Sequence, residues 1–215
     1  MTIERSVHFL PGYQVSNITV NLAINGSNFL LTSVNGWIVI QQRVGATTGV
    51  FGVSWVTYRN GFGTYNSTFW LGLELVYLLT SSASYQLRIE IQALANYKWF
   101  STEYSSFYVD NEALKYTIHV SGYTGDAGDV FNSIGGTLMN GMKFSTMDQD
   151  NDLYKSGSCS TLYGGGWWYN NCMYGCLTGE YFTTSASNFY WHPMTDLGIS
   201  TTYNLVASRM MIKMN

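Results

Sequence analysis

Residues 148–172 contain, in order, Asp148-Gln149-Asp150-Asn151-Asp152-Leu153-Tyr154-Lys155-Ser156-Gly157, then Cys159, then Gly165-Gly166-Trp167-Trp168-Tyr169-Asn170-Asn171-Cys172. Three carboxylates at alternate positions of the acidic run repel one another in a small volume unless a cation neutralises them. Calcium accepts about six to eight hard oxygen ligands, including backbone carbonyls and waters. The run therefore predicts a calcium site, with a solvated polar turn as the alternative.

The acidic run does not have the pattern of an EF-hand. Counted from Asp148, the sixth position is Leu153 where the sharp turn of that motif needs Gly. The twelfth position is Cys159 where the motif has a bidentate Glu. Any calcium site here must use a different loop.

Around this run, alternating apolar and polar residues predict a sheet with few helices. Residues 1–35 predict short strands or a hairpin that turns near Asn25-Gly26. Residues 54–60 predict a short helix between an N-cap at Ser54 and a stop at Gly61. The strand candidates are 36–41, 68–75, 85–93, 105–109, 116–120 and 210–214. Between Gly122 and the last strand the patterning is irregular, and binding sites concentrate in long irregular stretches.

Composition excludes several functional classes. Charged residues make up 11% of the 215-residue chain, aromatic residues make up 16%, and the net charge is -3. The few Lys and Arg form no basic patch for nucleic acid. No apolar run reaches the roughly 18 residues of a membrane span, and the N-terminus lacks a signal-peptide pattern. We expect a cytosolic chain or one whose signal has been removed.

Two features favour an extracellular chain. Asn17, Asn25 and Asn66 each begin an Asn-X-Ser/Thr glycosylation sequon. All three cysteines, Cys159, Cys172 and Cys176, lie within eighteen residues, which indicates a local disulfide.

Several longer motifs occur in order on both sides of the acidic run. Upstream are Gly36-Trp37-Ile38-Val39-Ile40-Gln41-Gln42-Arg43, Tyr58-Arg59-Asn60-Gly61-Phe62-Gly63, Phe69-Trp70-Leu71-Gly72-Leu73-Glu74 and Val120-Ser121-Gly122-Tyr123-Thr124-Gly125-Asp126-Ala127-Gly128-Asp129. Nearer the run and beyond it are Gly141-Met142-Lys143-Phe144-Ser145-Thr146-Met147, Leu177-Thr178-Gly179-Glu180-Tyr181 and Met211-Ile212-Lys213. From about Gly36 to the C-terminus, the chain resembles the fibrinogen C-terminal domain family.

This resemblance implies an α+β fold with a central mixed or antiparallel sheet, short helices and an irregular C-terminal region that carries calcium and the ligand. We expect one domain with a divergent N-terminal subdomain at 1–35, a sheet subdomain at 36–125 and a calcium- and ligand-binding subdomain at 126–215. The family includes fibrinogen chains, ficolins, tachylectins, angiopoietins and tenascins, which act outside cells and commonly as oligomers.

The resemblance also implies the calcium ligands. They are the side chains of Asp150 and Asp152 and the backbone carbonyls of Tyr154 and Ser156, with Asp148 as a nearby structural carboxylate. The spacing from Asp152 to Cys159 is one residue longer than is usual in the family, so Gly157 is an alternative source of the second carbonyl.

By the same resemblance, Cys159 and Cys172 form the C-terminal disulfide, and the peptide bond before Cys172 is ordered by calcium. Cys176 is an additional cysteine. It could stay reduced, pair between chains, compete with Cys172 for Cys159, or join the other cysteines and His192 in a zinc site. The zinc pattern lacks the close ligand pairs typical of such sites.

In lectin members of the family, a pocket beside the calcium loop receives acetyl groups. The residues expected to line the corresponding concavity here are Tyr163, Asn171, Cys172, Met173, Ala186 and Tyr190. Met173 stands where those members have His, which places acetyl recognition in question. Trp70, Trp167 and Trp168 are expected in the core instead, because large aromatic side chains dominate buried area.

A catalytic function is not expected. The three His residues, His8, His119 and His192, have no nucleophile motif beside them. The leading hypothesis is a secreted, calcium-dependent, lectin-like domain that binds glycans or acetylated groups in pattern recognition and innate immunity. The alternative is a module that binds a receptor or another extracellular protein, and the loss of the His at Met173 favours it.

Overall fold

A long antiparallel sheet with short helices forms the framework of the chain. The computed structural model describes residues 15–22, 27–45, 48–65, 67–132, 137–181, 188–196, 198 and 204–215. The strands are β1 (Val15–Leu22), β2 (Ser27–Val34), β3 (Trp37–Val44), β4 (Phe62–Gly63), β5 (Phe69–Trp70), β6 (Tyr85–Ala93), β7 (Trp99–Val109), β8 (Ile118–Gly125), β9 (Gly175–Cys176), β10 (Tyr190–Trp191) and β11 (Leu205–Met214). The helices are α1 (Trp55–Asn60), α2 (Leu73–Ser82), α3 (Cys159–Tyr163) and α4 (Pro193–Asp196), with a 3₁₀ turn at Glu112–Leu114.

The last strand of the chain lies in the middle of the main sheet. The strand order is β1-β2-β3-β11-β6-β7-β8, and β11 pairs antiparallel with both β3 and β6. The α+β fold and the central sheet are therefore as the sequence predicted. The main sheet contains strands from all three predicted subdomains, whose boundaries at 35 and 125 remain a prediction.

The N-terminal hairpin and helix α1 are confirmed. Strands β1 and β2 pair from Val15↔Val34 to Leu22↔Ser27, and the predicted Asn25-Gly26 turn lies outside the described residues. The Ser54 hydroxyl caps α1 by accepting from the N–H of Thr57. Gly61 ends this helix at a φ of 91°, where a Cβ would lie 2.4 Å from the Leu71 carbonyl oxygen.

The strand predicted at 68–75 is wrong over most of its length. Only Phe69–Trp70 forms a strand, and Gly72 then turns the chain at a φ of 110° into helix α2. Leu73, Val76 and Leu79 are buried on this helix. Their spacing of three residues follows one helical face, which a short apolar run does not distinguish from a buried strand.

Other strand bounds differ from the prediction. Strand β7 begins at Trp99 instead of residue 105, and β11 begins at Leu205 instead of residue 210. Strand β8 begins at Ile118 because Lys115 and Tyr116 have positive φ angles of 59° and 47°. It continues to Gly125, five residues beyond the predicted end.

An aromatic cluster supports the irregular C-terminal region. Phe144 and Trp168 pack with Tyr58 and Trp70 at ring-centroid distances of 5.1–6.2 Å. The Tyr58 hydroxyl also accepts a hydrogen bond from the N–H of Gly166, where a Cβ would lie 2.6 Å from the Tyr58 ring. The expectation that Trp70, Trp167 and Trp168 lie in the core is confirmed, since all three are buried.

A buried ion pair joins the two central strands. Nη2 of Arg209 on β11 lies 2.7 Å from Oε2 of Glu90 on β6, and both side chains are 1% exposed or less. Glu90 also accepts from Arg88, which bonds in turn with the more exposed Glu103. Two buried charges of opposite sign are held across the sheet at this point.

We predict that Glu90→Gln lowers the free energy of unfolding by about 3 kcal/mol, because the buried Arg209 guanidinium keeps its charge without a carboxylate. Urea denaturation measures the loss. The matched control is Glu103→Gln, which removes a carboxylate that is 34% exposed and is expected to cost less than about 1 kcal/mol. Equal losses in the two variants would contradict this interpretation.

Candidate functional site

Asp148 anchors the acidic turn to the start of helix α1. Its Oδ1 accepts the backbone N–H of Trp55 at 2.8 Å and the hydroxyl of Thr146 at 2.7 Å. A further bond runs from the Asn151 side chain to the Phe144 carbonyl. Asp148 thus has a structural position, and the beginning of the turn is held against the aromatic core.

Asp150 and Asp152 organise the centre of the turn through backbone donors. Asp150 Oδ1 accepts the N–H of Asp152 at 3.2 Å. Asp152 Oδ1 accepts the N–H of Tyr154, and Asp152 Oδ2 accepts the N–H of Cys159, both at 2.8 Å. The carboxylate of Asp152 therefore joins the acidic turn to the first residue of helix α3.

The two carboxylates are close enough to affect each other's charge. Burial raises the pKa of Asp152 above its ordinary value, and the charge of Asp150 raises it further, against two backbone N–H bonds that lower it. Among the described residues, neither carboxylate forms an ion pair with Lys, Arg or His. A cation beside them would stabilise the charged form.

The donor chemistry of this turn fits calcium. Asp150 and Asp152 supply two carboxylates, and Ser156 and Gly157, the two candidate sources of a second carbonyl ligand, are exposed residues of the same loop. The Tyr154 carbonyl accepts a long bond of 3.4 Å from the N–H of Gly157. No group of three or more His, Cys, Asp or Glu in the described ranges is arranged to hold a metal. A cation here would therefore need backbone carbonyls and water to complete its ligands.

The acidic turn is also bonded to the segment that precedes Cys172. The N–H of Leu153 donates to the carbonyl of Asn170 at 2.9 Å. The disulfide that the resemblance predicts is present between Cys159 and Cys172, with Cα atoms 5.6 Å apart, and the Asn171–Cys172 peptide bond is cis. Two hydrogen bonds thus join the acidic turn to the disulfide loop: the one from Leu153 to Asn170 and the one from Cys159 to Asp152.

Five of the six residues expected in the ligand concavity lie within the described residues. Asn171 is exposed, and Cys172 is half-buried. Tyr163, also half-buried, stacks on Tyr169 with ring centroids 6.2 Å apart. Met173 is only 8% exposed, and its carbonyl accepts the Tyr190 hydroxyl at 3.3 Å. Ala186 lies outside the described residues.

Two arrangements near the site were not identified from the sequence. The rings of Tyr174, the residue after Met173, and His192, two residues after Tyr190, stack with their centroids 4.7 Å apart. Arg43, on strand β3, donates from Nη1 to the carbonyl of Gly179 at 2.5 Å and packs 4.4 Å from the ring centroid of Phe189.

Arg43 therefore holds the two ends of the segment that contains Ala186. Burial lowers the pKa of this guanidinium to about 10, so it stays protonated at neutral pH. The Gly36–Arg43 motif contained this residue, but its long-range contact had no sequence signal.

Cys176 lies reduced in the interior. Its side chain is fully buried, with Sγ 3.4 Å from the Thr178 hydroxyl and 3.7 Å from that of Tyr169. Burial raises the pKa of this thiol. The hypotheses of an interchain bond and of competition for Cys159 are wrong in this structure, because the thiol is inaccessible and Cys159 is paired. The zinc hypothesis is wrong because two of its sulfurs form the disulfide.

The remaining sequence predictions concern the glycosylation sequons and membrane-spanning segments. Asn17 lies in strand β1, while Asn25 and Asn66 lie outside the described residues. In the part of the chain that the structure describes, no helix is both long and apolar enough to cross a membrane.

Two human proteins similar to this chain are fibroleukin and angiopoietin-related protein 2. Human fibroleukin is 40% identical over 154 residues, covering 70% of this chain and 34% of fibroleukin. Human angiopoietin-related protein 2 is 36% identical over 186 residues, covering 84% of this chain and 35% of that protein. The chain thus spans about a third of the length of these relatives.

Solved structures agree over nearly the whole chain. The fibrinogen-like globe domain of human ANGPTL2 has a TM-score of 0.81 and 30% identity, and the alignment covers 94% of this chain and 93% of that one. Lamprey fibrin D-dimer, complexed with the peptide ligand Gly-His-Arg-Pro-amide, has a TM-score of 0.78 and 31% identity, with coverage of 94% and 70%.

The family model that matches extends further toward the N-terminus than the motifs did. It describes the C-terminal globular domain of fibrinogen beta and gamma chains, and it matches residues 22–214. The match therefore includes strand β2, which lies in the N-terminal subdomain at 1–35 that the sequence analysis described as divergent. The chain belongs to the fibrinogen C-terminal globular domain family.

Proposed function

We propose that this chain is an extracellular recognition domain whose ligand-binding surface is ordered by a calcium ion in the acidic turn. The observation that carries the proposal is the double role of Asp152. Its carboxylate is buried in part and lies near the like charge of Asp150, and both effects raise its pKa. The same carboxylate also accepts a hydrogen bond from the N–H of Cys159 in the disulfide loop. Neutralising this charge stabilises the turn and the loop together.

The calcium ligands would be the carboxylates of Asp150 and Asp152, the carbonyl of Tyr154, and that of Ser156 or Gly157. With two acidic side chains, the affinity is expected at the weak end of the range for extracellular modules, with Kd of about 10⁻⁴ to 10⁻³ M. Such an affinity makes occupancy depend on the calcium concentration outside cells. An extracellular location also suits the Cys159–Cys172 disulfide, which persists in oxidising compartments.

The best-supported ligand is a segment of another extracellular protein. Met173 presents an apolar and largely buried side chain where lectin members of the family have His, so this position offers no imidazole to a sugar. Angiopoietin-related and fibrinogen-like proteins are among the relatives, and the similar lamprey fibrin structure holds a peptide. We infer a binding role and not a catalytic one.

Binding of glycans or acetylated groups is the second candidate. Tyr163 and Tyr190 are half-buried aromatic residues, and Asn171 is exposed. Aromatic faces next to amide groups suit sugars as well as peptides. In either case, self-association of the full-length protein would add avidity to weak single sites. The buried Cys176 would not supply that association.

We predict that Asp150→Asn weakens calcium binding at least about tenfold, because one of only two acidic ligands loses its charge. Isothermal titration calorimetry measures the affinity. Asp148→Asn is the matched control, since the amide oxygen still accepts from Trp55 and Thr146, and its calcium affinity should stay within about twofold of wild type. Wild-type affinity in Asp150→Asn would contradict the assignment.

We predict that peptides selected from a random linear display library bind with calcium, and that chelator or Asp150→Asn removes this binding. The measurement is repeated on an array of acetylated and non-acetylated glycans. Calcium-dependent binding to acetylated glycans alone would replace the protein partner with the second candidate. Peptide binding that is equally strong in chelator would contradict the calcium-ordered surface.

A further inference from the structure

A small cleft lies on strands β7 and β8, separate from the acidic turn. Its volume is about 210 Å³, and it is lined by Ser106, Tyr108, His119, Val120, Ser121 and Asn140. None of these residues belongs to the proposed calcium ligands or to the ligand concavity around the disulfide. The cleft is therefore a different feature of the molecule.

Cross-strand pairing places four of these side chains on one surface. Tyr108 is directly opposite His119, and Ser106 is directly opposite Ser121. Side chains of directly paired residues in an antiparallel sheet point to the same face. The Tyr108 ring, on a residue that is 43% exposed, stacks nearly parallel on the His119 ring at 4.3 Å and 11°.

The walls of the cleft are held by bonds inside the protein. His119 Nε2 lies 2.8 Å from Oδ2 of Asp110, which fixes the imidazole under the Tyr108 ring. The Asn140 amide bonds to both the N–H and the carbonyl of Val120 and also to Asn132. The cleft is thus already shaped, and the stacked rings of Tyr108 and His119 are held in place without a ligand.

Three hydroxyl groups at the cleft remain available to a ligand. Across the described residues, the hydroxyls of Ser106, Tyr108 and Ser121 form no hydrogen bond with another protein group. The six lining residues include no Lys, Arg, Asp or Glu. The imidazole of His119 is already paired with the Asp110 carboxylate. This chemistry offers neutral donors and acceptors beside an aromatic ring, and it offers little to an anion.

We propose that this cleft is a second binding site, independent of calcium, for a neutral sugar ring of a glycan. The apolar face of a pyranose ring packs on an exposed aromatic ring, while its hydroxyls exchange hydrogen bonds with side-chain hydroxyls. The volume is below the roughly 300–1,000 Å³ of pockets for drug-sized ligands, which suits a single ring. The proposal does not depend on the function proposed for the acidic turn.

The test uses the methyl glycosides of glucose, galactose and mannose, titrated in the presence of chelator and followed by saturation-transfer-difference NMR. At least one glycoside should bind saturably without calcium. Tyr108→Ala should weaken that binding about tenfold, because the stacking face is lost. Ser121→Ala, which removes only a hydroxyl from an exposed position, should weaken it by a smaller factor of about three.

Tyr97→Ala is the matched control, since it removes another exposed tyrosine, in the turn between β6 and β7, outside the cleft. It should leave glycoside binding unchanged, and so should Asp150→Asn, which separates this site from the acidic turn. The proposal is overturned if none of the three glycosides binds, if chelator abolishes binding, or if Tyr108→Ala binds as tightly as Tyr97→Ala.

Discussion

The carboxylate of Asp152 accepts hydrogen bonds from the backbone N–H groups of Tyr154 and Cys159, and these two bonds determine the shape of the acidic turn. Burial raises the pKa of Asp152, and the same geometry brings a second carboxylate, Asp150, close enough to raise it further. The N–H of Leu153 also donates to the carbonyl of Asn170, which joins the turn to the disulfide loop. Under the proposed function, the order of the candidate ligand surface is linked to the charge of the turn.

This irregular region needs support from the rest of the domain. The ring of Phe144 and the backbone of Gly166 pack on Tyr58, so the start of the region and its Gly- and Trp-rich segment are held on helix α1. Arg43 extends from strand β3 to the segment that follows Cys176. Strand β3 pairs in turn with β11, the last strand of the chain, so the site depends on residues from both ends of the sequence.

Sequence patterns predicted what local chemistry determines. The alternation of Leu87, Ile89 and Ile91 identified strand β6, the cap at Ser54 identified helix α1, and the Asp spacing identified the acidic turn. Helix α2 was missed because its first apolar residues also fit a strand. The contact of Arg43 with Gly179 and the stacking of Tyr108 on His119 depend on long-range packing and strand register, which local patterns do not encode.

The central claim is that calcium in the acidic turn orders the disulfide loop beside it. Amide hydrogen exchange, compared with calcium and with chelator, tests it most directly. The account predicts that calcium slows exchange in residues 150–158 and also in residues 168–173, with no change in strand β6. Slower exchange confined to 150–158, or no change in either segment, would contradict the account.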